Sequence, residues 1–273
     1  MTRQLLGRDR PSYLETVRIL ANAQKSVAPG APAYSVLVNR RAGRLLAAAA
    51  YRAGLTPNMV SAISALFTLS AIGFLAFTPT DGGADGPAGP VVWAGLVVWA
   101  GLAVGYAFDS ADGQVARLRG GGSLSGEWLD HVLDSLKNSS VHLAVLVCAY
   151  RTFGLEDPAW LLIPIGYCLV DGVGFFTMIL TEQLRKTHLL KSGTAATPRS
   201  GSRLKSLALL PTDYGIFCFV FLFVGTPVLF MWLYTLFFVA NLAYLILAGV
   251  KWFRELGRLD PAGPRADGGG RNA

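Results

Sequence analysis

Four aspartates, Asp109, Asp112, Asp130 and Asp134, fall within 26 residues, and both flanks of that stretch are apolar enough to lie in a bilayer. A carboxylate at membrane depth costs about 2.5–3.5 kcal/mol on insertion scales, so four together demand cations or a polar cavity. The stretch is therefore a functional site, and its chemistry points to metal. At about 100° per residue, Asp109, Asp112 and Ala116 share one helical face, with Gly113 beside them. Asp130 and Asp134 stand four apart and face the same way, and Glu127, one turn earlier, joins their stripe. Two helices joined by a short loop place the carboxylates opposite each other. Hard oxygen ligands suit Mg²⁺ or Mn²⁺ rather than zinc, and no Cys/His set competes. Gly113, Ala116 and Gly126 leave space where side chains would block a ligand. Arg117, about 7.5 Å along the axis from Asp112, can reach a phosphate held by the metals.

The elements that must position these groups are membrane helices. The chain is 52% hydrophobic and 15% charged, with a mean hydropathy of +0.44. Soluble domains carry about 25% charged residues. Six apolar segments, 58–78, 91–117, 125–150, 158–182, 213–225 and 227–250, predict an all-α integral membrane protein with six transmembrane helices. The fifth is short, and Gly225-Thr226-Pro227 breaks it from the sixth, so these two form a hairpin with almost no loop. Residues 12–27 and 33–53 alternate apolar and basic positions with helical spacing and read as interfacial amphipathic helices. Residues 79–90 read as a flexible external loop and the tail from Pro261 as disordered. The expected organisation is an interfacial region over 1–54, a six-helix membrane domain over 55–252 and a tail over 253–273. Met1 to Arg10 lacks the apolar core of a cleavable signal.

Basic residues set the orientation. The first 52 residues carry nine Lys/Arg, the 78–90 loop none and the 151–157 loop one, whereas the 183–212 loop has six and the chain from Lys251 five. Alternate loops are basic, which puts both termini and the aspartate end on the cytoplasmic side of the cell membrane. The net charge of +7 reflects this bias and an attraction to anionic lipid, and needs no nucleic-acid partner. Cys148, Cys168 and Cys218 lie in apolar segments without paired spacing and read as buried thiols.

The pattern D-x2-D-G-x2-A-R-x8-G-x3-D-x3-D, from Asp109 to Asp134, resembles the signature of the CDP-alcohol phosphotransferases, with every fixed position present. The resemblance implies an enzyme of phospholipid biosynthesis that moves a substituted phosphate from a CDP-linked donor to an alcohol or lipid acceptor and releases CMP. It implies two ions, Mg²⁺ or Mn²⁺, held by Asp109, Asp112, Asp130 and Asp134, with Asp134 also the general base. Gly113, Ala116 and Gly126 would border the cytidine and Arg117 a phosphate. The family also implies a homodimer. Thr56-Pro57-Asn58 reads as a helix start, with Thr as cap and Pro in the first turn. It also resembles a Thr-Pro-Asn element found near the nucleotide in this family. Asn39-Arg40-Arg41 reads as an interfacial basic patch and resembles an Asn-Arg element of relatives that bind inositol phosphate, so these residues are candidates for the acceptor. Gly126 to Ser135, in contrast, resembles the choline and ethanolamine phosphotransferases, whose acceptor is diacylglycerol.

Outside the motif, Lys137 lies one turn beyond Asp134 and reads as a counter-charge, and His131 as an orienting neighbour of Asp130. Asp171 reads as bonding across helices or meeting a substrate or partner. Lys186, Arg199, Arg203 and Lys205 form a lipid-facing basic loop. A cation transporter using the aspartates as an ion pathway is the reading from another class. It is disfavoured by the Gly and Arg interleaved with the carboxylates and by the absence of repeated halves.

Overall fold

Helix starts and stops follow local side-chain chemistry in an otherwise apolar chain. The computed structural model describes residues 11–23, 32–81, 89–193 and 212–259. Helix α1 (Tyr13–Asn22) opens on a capping box: Ser12 Oγ accepts from the Glu15 N–H, and the Ser12 N–H donates to Glu15 Oε2 at 2.8 Å. The Ser12 backbone and hydroxyl bonds hold the Glu15 carboxyl below its ordinary value. A π-helical turn at Ser35–Asn39 leads into α2 (Arg40–Arg52). Thr56 Oγ1 accepts from the Met59 N–H at 3.2 Å to start α3 (Pro57–Ala76), with Pro57 in the first turn, where a missing N–H costs nothing. After α4 (Val92–Leu118), Gly120 and Gly121 take φ of +97° and +134° to make the turn, and Ser123 caps α5 (Leu124–Thr152). A 3₁₀ turn at Pro158–Leu161 precedes α6 (Leu162–Ser192). Helix α7 (Tyr214–Val220) runs into a 3₁₀ turn at Phe221–Phe223, and Pro227 begins α8 (Pro227–Gly257). Among the described residues, strand pairing is confined to β1 (Thr80–Asp81) with β2 (Gly89–Pro90), antiparallel.

Among the described residues, five helices are long and apolar enough to cross a membrane, at 20 to 35 residues each. The segment expected at 213–225 is an apolar helix only over Tyr214–Phe223. Ten residues rise about 15 Å, half of a hydrocarbon core, so the fifth of the six expected segments is as short as the sequence suggests and stands apart from the five full-length helices. The expected hairpin is present: Phe217 packs on Tyr234 and Phe221 on Phe230 across the Val224–Thr226 turn. The 82–88 part of the expected loop, the tail from Pro261 and Arg199, Arg203 and Lys205 lie outside the described residues.

Helices α3 and α4 approach closely because α4 offers glycine. A Cβ at Gly101 would meet that of Ala71 at 2.6 Å, and one at Gly105 would meet Thr68 Oγ1 at 2.0 Å and Ser64 O at 3.1 Å. Gly95 likewise admits the backbone of Phe221 and Leu222. The larger core gathers Leu75, Leu102, Val145, Tyr167, Phe217, Phe230 and Tyr234 from six helices, with Phe221 from the 3₁₀ turn. A smaller one, of Leu20, Ala47, Val60, Ala111 and Val115, seats α1 and α2 on the aspartate end of α3 and α4. The second contact is polar as well as apolar: Gly43 sits against Ser110, and Gln114 Nε2 donates to Arg40 O at 3.2 Å.

Candidate active site

Asp109 and Asp112 project from the C-terminal half of α4, and Asp130 and Asp134 from the N-terminal half of α5. Oxygens of Asp109, Asp130 and Asp134 lie within 4.8 Å of one another. Neither imidazole nor thiolate joins this group among the described residues. Carboxylate oxygens alone, from two helices across a short gap, fit Mg²⁺ or Mn²⁺. Asp112 is the most buried of the α4 pair, at 8% exposure, and accepts from Ser61 Oγ on α3 at 2.7 Å. Ser64, one turn further along α3, lies 3.4 Å from Asp109 Oδ1 and 2.9 Å from Gly105 O. Hydroxyls of a third helix thus hold the carboxylates of the second.

Lys137 closes the floor. Its ammonium is bonded to Asp109 Oδ1, to Asp134 Oδ1 at 2.9 Å and to Ser64 Oγ at 3.3 Å. Three N–H groups meet three oxygens, so the counter-charge expected from the stripe is in place.

The open side of the gap carries the small residues. Gly113 is exposed, with nothing within 4 Å of the position a Cβ would take, and Ala116 is half-buried. A Cβ at Gly126 would fall 3.0 Å from Ser123 Oγ and 3.2 Å from Asn58 Oδ1, so glycine here lets α5 start against Asn58. Asn58 therefore reaches the motif, whereas the Thr56 hydroxyl is engaged as the α3 cap. Arg117 is half-buried, faces the charge of Arg40, and its Nε is buried without a hydrogen-bond partner.

Other candidates have partners of their own. Asn39 is buried and donates to Tyr106 O at 3.0 Å, tying the π turn to α4, while Arg41 is exposed. Glu127 shares the stripe of Asp130 and Asp134, but its carboxylate turns out to Lys186 at 3.1 Å. His131 follows Glu127 at 4.0 Å and packs edge-on against Phe175, because successive helical residues diverge by about 100°. Asp171 bonds across helices, 3.3 Å from His142 Nε2, and His142 Nδ1 shares a 2.6 Å bond with Tyr234 Oη. Cys148 and Cys218 are buried and Cys168 half-buried, all free thiols.

Three participants escaped the sequence reading: Ser61, Ser64 and His142. The serines carried a signal, since Ser61, Ser64 and Thr68 repeat at helical spacing on one face of an apolar segment. His142 carried none beyond being a lone polar residue in an apolar run.

The model of the CDP-alcohol phosphatidyltransferase family matches residues 54–247, most of the chain. Among solved structures, the chain is similar to the phosphatidylinositol phosphate synthase of Mycobacterium tuberculosis with CDP-DAG bound. The TM-score is 0.48 at 18% identity, over 86% of this chain and 99% of that one. Among curated proteins none matches. The chain belongs to the CDP-alcohol phosphatidyltransferase family and is a CDP-alcohol phosphotransferase of phospholipid biosynthesis.

Proposed function

We propose that this enzyme transfers a substituted phosphate from its CDP-linked donor to an alcohol, releasing CMP, at two divalent ions held by Asp109, Asp112, Asp130 and Asp134. One observation carries the reading: carboxylate oxygens of α4 and α5 converge within 4.8 Å, in a chain whose family uses CDP-linked donors. Mg²⁺ or Mn²⁺ bound there would neutralise charge on the donor diphosphate and on departing CMP. Ser61 and Lys137 keep Asp112, Asp109 and Asp134 in place before any ligand arrives. Because Lys137 takes Asp134 Oδ1, Oδ2 is left to accept the hydroxyl proton as the alcohol oxygen attacks phosphorus in line. Gly113, Ala116 and Gly126 border the cytidine, with Thr56 and Asn58 at its rim, and Arg117 donates its unpartnered Nε–H to a phosphate oxygen. Arg40 and Arg41 meet the acceptor's polar group. Asn39 supports them from beneath through Tyr106.

The same reading places the short α7 as a sixth crossing, with both termini and the aspartates on the cytoplasmic side of the cell membrane. The basic 183–212 stretch and the basic chain from Lys251 support it. The region 1–54 then lies at the interface, 55–252 forms the membrane domain, and 253–273 is a cytoplasmic tail.

The test is purified enzyme in detergent with Mg²⁺ or Mn²⁺ and a panel of CDP-donors and alcohols, diacylglycerol and inositol phosphate included, scored by CMP release. EDTA should abolish turnover and either ion restore it. Full turnover in metal-free buffer, or no CMP from any donor, would refute the mechanism.

A further inference from the structure

We propose that Lys137 meters the charge of this centre, so that the second divalent ion binds only together with a diphosphate group. The inference rests on the aspartate–metal reading above. Its basis is where the ammonium sits and what it touches. Lys137 is 8% exposed and lies at the floor of the gap, not at its mouth. All three of its N–H groups are engaged, by Asp109 Oδ1, Asp134 Oδ1 and Ser64 Oγ, so none is left to reach a substrate. A lysine that gripped a phosphate would extend a flexible stem toward the open side, where Gly113 and Arg117 are. Lys137 is instead a fixed positive charge in contact with two of the carboxylates proposed as metal ligands.

That charge changes the balance of the site. Four carboxylates and one ammonium leave three negative charges. One divalent ion reduces the excess to a single negative charge. A second would leave the pocket net positive, which a partly desolvated site among apolar helices resists. A diphosphate brings two negative charges, and the sum with both ions returns to one negative charge. The second ion and the diphosphate therefore favour each other, and this coupling acts in both directions. Without the ammonium, four carboxylates match two divalent ions unaided, and the coupling disappears. Such a device would keep the centre from holding a full metal pair when no donor is present.

The measurement is Mn²⁺ binding by the full chain in detergent, with free ion counted by electron paramagnetic resonance, with and without CDP as the diphosphate probe. Wild type should bind one Mn²⁺ per chain alone and two with CDP, and CDP should tighten the second ion by about tenfold or more. Lys137→Met should bind two without CDP, with the CDP effect reduced to below about threefold. Lys137→Arg, which keeps the charge, should follow wild type. Two ions on wild type without CDP, or a Lys137→Met that binds fewer ions than wild type, overturns the inference and makes Lys137 an organiser only. If Lys137→Met aggregates, the wild-type titration alone decides. Wild type that binds no Mn²⁺ in either condition overturns the aspartate–metal reading itself, a result distinct from two ions bound without CDP.

Discussion

Removing one hydroxyl from α3 asks whether a helix outside the motif shapes the proposed metal centre. Ser61 Oγ donates to Asp112 Oδ2 at 2.7 Å, and its competing acceptor, the Pro57 carbonyl, is further away at 3.2 Å. The other carboxylate oxygen accepts from the adjoining Gly113 N–H, a bond within its own turn. In Ser61→Ala, Oδ2 loses its interhelical donor while still buried. Hydrogen bonds to charged groups contribute about 1.5–3 kcal/mol, and loss of a partner that orients a metal ligand typically weakens the metal by about 10–100-fold. The Mg²⁺ concentration for half-maximal CMP release should therefore rise by about 10–100-fold, with kcat at saturating Mg²⁺ within about threefold of wild type. A loss of about 1.5–3 kcal/mol also lowers the thermal midpoint of a chain this size by about 3–12 °C. Ser61→Thr, which keeps the hydroxyl, should restore the Mg²⁺ requirement. An unchanged requirement in Ser61→Ala, or a collapse of kcat with the requirement intact, would refute the argument that α3 aims Asp112.

Three further outcomes are expected. Asp134→Asn should lower turnover by about 10²–10⁴-fold with a smaller change in donor binding, whereas Asp112→Asn should damage metal and CDP-donor binding together; calorimetry beside turnover separates the two. Gly105→Leu, which drives a Cβ to 2.0 Å from Thr68 Oγ1, should cost about 1–3 kcal/mol of stability and lower activity by parting α3 from Asp109, while Gly249→Leu, with open space around it, should leave both unchanged. In a background lacking Cys148, Cys168 and Cys218, a cysteine replacing Glu156 should label from outside intact cells and one replacing Arg258 should not; the reverse pattern would overturn the orientation.

The aspartates could be read from the chain because charge in an apolar context is conspicuous and because helical spacing fixes which residues share a face. Lys137 followed from the same stripe. What could not be read depends on partners far along the chain. Glu127 lies on the right stripe, yet Lys186, 59 residues away on α6, draws its carboxylate outward. The bond from the Asn39 amide to the Tyr106 carbonyl of α4, 67 residues along the chain, has no counterpart in local sequence. In sequence Ser61 and Ser64 cannot be told from ordinary membrane-helix hydroxyls, which are common wherever helices pack closely. Their significance appears only when α3 lies against α4. The apolar run at 213–225 reads as a span by composition, and only its helical length distinguishes it from the five longer ones.

The packing that brings α3 to α4 is also what makes the centre precise. Gly101 and Gly105 carry no side chain that would hold the helices apart, and the hydroxyl of Ser64 bonds the Gly105 carbonyl in the resulting contact. That bond fixes α3 against α4, and Ser61, one turn earlier, is then within side-chain reach of Asp112. On the opposite side, α5 is referenced to the same point, because Lys137 reaches Ser64 and Asp109 as well as its own Asp134. Three helices are thus keyed to one small polar cluster around Ser64, which is itself fully buried. In a bilayer such hydrogen bonds are individually modest, about 0.6 kcal/mol on average in measured cases, so they do not hold the fold together. Their consequence is positional. The carboxylates stand at fixed separations before any ligand binds, which limits the reorganisation left for the reaction itself. The motif supplies the oxygens, and residues outside it supply the geometry that makes them a site.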